Sequence, residues 1–410
     1  MINIIVARLL MKEAFGEYAM ILTTLLTFAA FSQFAIGSTA AKYIAEYRTV
    51  DPQKSGRILG LCVLIVVALA LIGSLLLLTL TPWVSKSVLN APHLAKSLCI
   101  GIVFLFFTTV NGFQTGVLSG LEAFGGMAKA GIISGLVAVI AIPVGAWQGG
   151  INGAVAGLSA SSIVRAGVHY WWVKVETRKQ EIFAQYKNCF KQEKEILYKF
   201  AIPASMSGLY ATPMVWISNS LLVRQPGGYG EMALFAAANN FRMLVMFIPK
   251  VINNVGLSML NNLKGTGNKS SFFKLFKTNT LIIFLVSLAA FIFLSLLGRP
   301  ILGLFGKEFE AGQRLLVVLL ASGVVEAVNL ALRQYIQSLA KVWHSFFVVT
   351  IPRESMRVLS AYFLVKSHGG EGLGIAYLIA MILAFILWIA LVFYLYKKTG
   401  GQISDDGQSI

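Results

Sequence analysis

Long, nearly uninterrupted apolar runs recur along the whole chain, and no other feature restricts its fold as much. A segment needs roughly 20 mainly apolar residues to cross a bilayer as a helix, which satisfies its own backbone hydrogen bonds where no water can. Eleven such runs stand at 18–44, 58–80, 98–119, 127–147, 151–173, 200–222, 231–256, 278–297, 314–337, 343–365 and 372–396. The opening INIIVARLL is shorter and reads as the last turns of a further span whose start is missing, since no signal-peptide pattern is present. With 57% hydrophobic residues, only 12% charged and a mean hydropathy of +0.75, the 410-residue chain is an all-α polytopic membrane protein. About twelve transmembrane helices are expected, the first one truncated.

A net charge of +17 is of the size found in nucleic-acid binders, but its placement follows the membrane instead. Allotting the loops alternately to two sides puts 18 Lys and Arg on one side, including Arg48, Arg57, Lys187, Lys274 and Lys397, and 9 on the other, including Lys86 and Lys307. By the positive-inside rule the richer side is cytoplasmic, and the C-terminus with it. Cys62, Cys99 and Cys189 fall in two spans and a cytoplasmic loop, and His93, His169, His344 and His368 are scattered without ligand spacing. No disulfide framework, metal, cofactor or Cys/His catalytic pair is expected from them. No polar segment much exceeds 174–199, which leaves no room for a soluble catalytic domain.

Three echoes run through the chain in order. FGEYAMIL at 15–22 resembles YGEMALFA at 229–236, SGLEAF at 119 resembles SLAKVW at 338, and GGINGAVAG at 149 resembles GGEGLGIAY at 369 with Gly153 opposite Gly374. Their nearly constant offsets point to a duplicated six-helix unit. Two pseudo-repeat lobes of like orientation, 1–173 and 200–398, would then surround a central cavity, with a polar tail at 399–410. Between them, 174–199 carries Ile182, Phe183, Tyr186, Phe190 and Ile196 near one helical face and lysines elsewhere. It is expected to lie amphipathically on the cytoplasmic leaflet, a solvated tether being the alternative. Gly131 with Gly135, and Gly149, Gly153 and Gly157, have the spacing of close helix packing. The charge-free runs 58–80, 278–297 and 372–396 suit a lipid-facing periphery.

A central Arg or Lys costs about 2.5 to 3.5 kcal/mol to insert, so charges within spans must face protein or water. Glu326, Asn329, Arg333 and Gln337 share one helical face, as do Asn239, Arg242, Met246 and Asn253. Arg353 and Arg357 lie four apart beside Glu354. In the first half Thr39, Lys42 and Glu46 form a stripe, Asn111 and Gln114 a second, and Ser162, Arg165 and His169 a third. Lys42, Lys250 and Arg165 lie near interfaces and are read as snorkelling. Arg242, Arg333, Arg353 and Arg357, with Asn239 and Asn329, are read as lining a cationic lumen, where Arg holds phosphate or carboxylate bidentately and Asn bonds sugar hydroxyls. The competing reading is an internal ion pair such as Glu354 with Arg357. Glu326 is either a site for a coupling ion or proton, or the salt-bridge partner of Arg333.

The stretches ARLLMKEAFGEYAMI, GSTAAKYIAEYR at 37–48, QTGVLSGLEAF at 114–124 and GGINGAVAG together resemble the polysaccharide-biosynthesis exporters. These are lipid-linked oligosaccharide (O-antigen-type) flippases of the multidrug/oligosaccharidyl-lipid/polysaccharide superfamily. The resemblance implies two six-helix lobes and alternating-access export of an undecaprenyl-diphosphate-linked sugar unit across the bacterial inner membrane. It implies no covalent chemistry, and as partners the lipid-linked substrate, membrane lipids and a polysaccharide polymerase. The basic cavity role is carried to Arg242, Arg333, Arg353 and Arg357. Two other functions are weighed against it. A cation-coupled multidrug exporter would need acids in the spans, yet Asp51, Asp405 and Asp406 all lie outside them. A polysaccharide polymerase or ligase would need a large outward loop, and the longest loop is on the cytoplasmic side.

Overall fold

The computed structural model describes residues 2–265, 269–338 and 342–398, and every regular element among them is helical. The chain forms two compact units, Met1–Trp216 and Ile217–Ile410. The first holds α1 (Ile2–Gln33), α2 (Ile36–Tyr47), α3 (Pro52–Trp83), α4 (Ala95–Gly120), α5 (Phe124–Lys179), the short α6 (Cys189–Glu193) and the first part of α7 (Ile202–Val223). The second holds the rest of α7, α8 (Gly228–Val245), α9 (Phe247–Gly265), α10 (Lys269–Leu296), α11 (Gly298–Gly303), α12 (Gln313–Ser338), α13 (Val342–Ser345) and α14 (Ile351–Lys398).

The expected runs are all helical, but two of them are broken. Run 18–44 divides at Phe34 and Ala35, which take φ of 38° and 51°. The left-handed turn is compensated because the Ala35 carbonyl accepts the backbone N–H of Thr39 at 3.0 Å and the hydroxyls of Ser38 and Thr39 at 2.8 and 2.9 Å. Run 231–256 divides at Met246. Pro249 has no N–H to give the Val245 carbonyl, so the ladder is interrupted there. These two breaks fall within a few residues of each other at the offset of the first echo. A further break, at Met11 (φ 67°), separates residues 2–10 from the rest of α1.

Eight described helical stretches are long and apolar enough to cross a membrane, and two of these, 124–179 and 343–395, are folded back on themselves. The turns are Gly150 (φ 55°, ψ −136°) and Gly369 (φ 52°, ψ −129°), a region of backbone space open essentially to glycine. Beyond each turn the limbs touch backbone to backbone. A Cβ on Gly153 would stand 1.9 Å from the Gly145 carbonyl oxygen, and one on Gly372 would stand 2.2 Å from that of Leu364. Both turns and both contacts therefore correspond at one offset of 219 residues, which pairs Gly153 with Gly372 rather than with Gly374. The SLAKVW echo includes 339–341, which lie outside the described residues, as does the tail 399–410.

Small residues divide into two kinds. Gly157 packs as expected, a Cβ there lying 2.2 Å from the Ala141 carbonyl oxygen, whereas a Cβ on Gly131, Gly135 or Gly149 would meet nothing within 4 Å. Those three glycines border open space, not a helix contact.

The segment 174–199 is not one amphipathic helix. It is helical to Lys179 and again from Cys189, with a non-helical strap between. The strap lies on α3, where Gln185 donates its backbone N–H to the Gly56 carbonyl at 3.0 Å and the missing side chains of Gly56 and Gly60 admit the carbonyls of Phe183 and Gln185. Ile182 and Ile196 join the core of α2 and α3, and Arg57 meets Glu193 at 3.0 Å. Phe183, Tyr186 and Phe190 remain exposed. The exposed faces of α3 (Leu71, Ile72, Leu75) and α10 (Leu281, Leu285, Phe293) fit lipid contact. Run 372–396 likewise exposes Ile382, Ile386, Ile389 and Phe393, while Ala384, Trp388, Leu391 and Leu395 pack into a core with Leu332 and Tyr335 of α12.

Candidate functional site

The charged residues inside the second unit gather where α8, α12 and α14 meet. Glu231, in the first turn of α8, accepts the backbone N–H of Gly370 at 3.0 Å and so fastens the fold-back of α14. Three turns along, Arg242 is only 12% exposed at its side chain. Its Nε donates to Asn239 Oδ1 at 2.9 Å, and one terminal nitrogen pairs with Glu326 of α12. Gly323 makes room for its stem, since a Cβ there would lie 3.0 Å from Arg242 Cγ.

Tyr377, on the returning limb of α14, is buried against Phe235 and takes guanidiniums over its ring, Arg357 at 4.3 Å from the centroid and Arg242 at 5.7 Å. Arg357 is paired with Glu354, Nη1 to Oε2 at 2.6 Å, and Arg353 reaches the other oxygen, Oε1, at 2.6 Å from Nη2. The sequence of groups is thus Asn239, Arg242 and Glu326, then Tyr377, then Arg357, Glu354 and Arg353. Three guanidiniums face two carboxylates, leaving one formal positive charge in a site built on three helices that span.

The sequence-derived candidates do not share one role. Asn239 and Arg242 are joined as their spacing implies. Glu326 pairs with Arg242, and not with Arg333 on its own helix. Arg357 is in the ion pair with Glu354 that competed with the lumen reading, and is 3% exposed. Asn329 is buried and donates to the Met381 carbonyl at 2.9 Å, which ties α12 to α14. Arg333 is exposed and forms no ion pair among the described residues. Arg353 keeps 23% of its side chain exposed. The side chain of Gln337 lies outside the described residues.

Tyr377 and Gln334 were not anticipated. Gln334 is fully buried, receives Asn279 Nδ2 on its Oε1 at 2.9 Å and donates to the Asn253 carbonyl. It is adjacent to Arg333 but off the polar stripe, so helical periodicity gives no signal for it. Its bonds join α9, α10 and α12 in the way side-chain amides join helices in membranes. Among the described residues no group of three or more His, Cys, Asp and Glu is placed to hold a metal ion.

The sequence profile of the polysaccharide biosynthesis protein family matches residues 1–256. A curated relative from Ralstonia nicotianae, the EPS I polysaccharide export inner membrane protein EpsE, is 21% identical over 381 residues, covering 92% of this chain and 85% of its own. Among solved structures, the inward-facing conformation of a multidrug resistance MATE family transporter of the MOP superfamily superposes with a TM-score of 0.81 at 18% identity, covering 97% of this chain and 94% of that one. A MOP superfamily transporter from Pyrococcus furiosus, described by a reverse polarity of its binding pocket, gives a TM-score of 0.70 at 19% identity, covering 96% and 91%. The fold is that of the MATE-like transporters, with two lobes, in a multi-pass membrane protein.

Proposed function

The chain belongs to the polysaccharide biosynthesis protein family, and on that premise we propose that it is a flippase, moving a polyprenyl-diphosphate-linked oligosaccharide across the bacterial inner membrane by alternating access. The observation that carries this reading is the excess of guanidinium over carboxylate inside the spans of the second unit, ending in the exposed Arg333 and the part-exposed Arg353. A diphosphate needs cationic, bidentate partners, and its isoprenoid tail can remain in the bilayer. Arg333 and Arg353 receive the diphosphate first. Arg242 joins them when it exchanges Glu326 for phosphate, with Asn239 already beside it. Buried Arg357 and Asn329 hold the helices in register and do not themselves bind the substrate. The polysaccharide export described for the Ralstonia relative points the same way. A polysaccharide polymerase is the partner that would consume the exported unit.

Export of cationic drugs, as named for the multidrug relative of this fold, is the poorer match. Of the acids within α12 and α14, Glu326 and Glu354 are occupied by arginines, and Glu371 stands beside the Gly369 turn rather than among them. The test is complementation of a flippase-deleted, surface-glycan-negative bacterium. The wild-type chain is expected to restore surface glycan and clear the accumulated lipid-linked precursor, and Arg333→Ala to abolish both at a matched level of membrane-inserted protein. Unchanged glycan in that variant overturns the role of Arg333. Dye efflux without glycan restoration by the wild type overturns the flippase reading.

A further inference from the structure

The first unit contains a polar cavity of about 510 Å³ with a different chemical character from the arginine cluster. Its lining includes Gln33, Thr108, Asn111, Thr115, Ser134 and Arg165, from α1, α4 and both limbs of α5. Half of the lining residues carry a hydroxyl or a carboxamide, set among apolar surface, and no acid or lysine is among them. Two observations mark it as a place for a ligand. Asn111 is 6% exposed, and while its Nδ2 donates to the Ser162 carbonyl at 3.1 Å, its Oδ1 has no hydrogen-bond partner. That oxygen is itself buried, and an acceptor left so is costly at membrane depth until a small shift of the lining lets a donor reach it. Gly131 and Gly135 also line the cavity, and a Cβ on either would meet nothing within 4 Å, so the volume is held open by the absence of side chains. Arg165, read from sequence as snorkelling, lines the same cavity and forms no ion pair among the described residues.

We propose that this cavity binds the glycan of the transported molecule, its hydroxyls bonding Asn111, Thr108 and Thr115 and an acidic substituent pairing with Arg165. The chemistry follows from the lining. A diphosphate would call for several cations, and a cationic drug for an acid. A polyhydroxylated ligand instead matches many neutral donors and acceptors, and a single unpaired guanidinium suits a sugar carboxylate or phosphate. The assignment rests on the flippase reading for the source of its ligand, but not for the nature of the site.

Three probes separate the two ideas, each applied to the purified full chain in lipid nanodiscs. They are a polyprenyl-diphosphate-linked oligosaccharide bearing one uronic acid, the polyprenyl diphosphate without sugar, and the free oligosaccharide. Gly135→Leu fills the cavity where the backbone has space, and Asn111→Leu and Arg165→Gln remove polar groups. Each is expected to weaken binding of the glycosylated lipid about tenfold, the loss of one or two good polar contacts, and to leave the sugar-free lipid unchanged. Should all three variants bind the glycosylated lipid as the wild type does, or lose both lipids equally with near-wild-type thermal stability, the cavity is not a glycan site. Wild-type binding of both lipids with equal affinity would overturn the cavity proposal and leave the flippase reading standing. Binding of the free oligosaccharide alone, lost in Gly135→Leu, would uphold the cavity and overturn the flippase reading.

Discussion

Glu354 is 1% exposed and stands between two guanidiniums, each 2.6 Å from one of its oxygens. Removing one member of a buried pair leaves an uncompensated charge and costs about 3–5 kcal/mol, whereas replacing both members by apolar groups is often neutral. Glu354→Gln is therefore expected to lower the thermal midpoint in detergent sharply, because Arg357, buried with Tyr377, keeps its charge without its partner. Glu354→Leu with Arg357→Leu is expected to recover most of the loss. A thermal shift assay on the three proteins checks this, and equal stability of the single and wild-type proteins would mean that water reaches Arg357. At Glu326 the balance is different, since its side chain is 30% exposed and its pair with Arg242 can be exchanged. Glu326→Gln frees Arg242 for phosphate, so affinity for polyprenyl diphosphate should rise about tenfold while surface glycan falls through slower release. A fall in affinity would show that Glu326 helps to hold the substrate rather than competing with it.

At the scale of elements, the two glycine fold-backs are where sequence and geometry agree most closely. Gly153→Ala puts a Cβ against the Gly145 carbonyl at 1.9 Å, a backbone atom that cannot rotate away. Gly135→Ala meets nothing within 4 Å and gains up to about 1 kcal/mol of helix propensity. The expected outcome is loss of folded protein from the membrane for the first and wild-type or higher thermal stability for the second, measured by size-exclusion profile and thermal shift. The same pair shows why part of the fold was legible and part was not. Spacing of glycines announces that backbones are able to approach, but whether another helix arrives is set by tertiary packing, as Gly131 and Gly135 demonstrate. Likewise the bond from Arg242 to Asn239 lies within one helical turn and follows from period 3.6, while its partner Glu326 is 84 residues away and depends on the register of α8 against α12. The break at Ala35 lay inside a continuous apolar run, where hydropathy carries no sign of a turn, whereas Pro249 in the sequence already marks a loosened helix near the break at Met246.

At the scale of the whole molecule, sidedness is carried by the basic residues. Each Lys or Arg near the anionic cytoplasmic surface contributes about 1 kcal/mol, so an asymmetry of 18 against 9 strongly favours one topology. Lys187 on the strap beneath α3 and Lys397 at the end of α14 belong to the richer side, and Lys307, between α11 and α12, to the other. All three are exposed, which makes them sites for single cysteines. Of the native thiols Cys62 and Cys189 are buried and only Cys99 is exposed, so Cys99→Ala supplies a quiet background. A membrane-impermeant maleimide added to intact spheroplasts is expected to label Lys307→Cys and to spare Lys187→Cys and Lys397→Cys, and inverted vesicles should give the reverse. Labelling of Lys187→Cys and Lys307→Cys from the same side would break the alternation of spans on which the assignment of the C-terminus to the cytoplasm depends. Labelling of all three in the opposite sense would keep the alternation but invert the chain. A diphosphate donor supplied from the cytoplasm would then meet the other end of the arginine cluster first, and Arg333 and Arg353 would lose their place as the first groups to receive it.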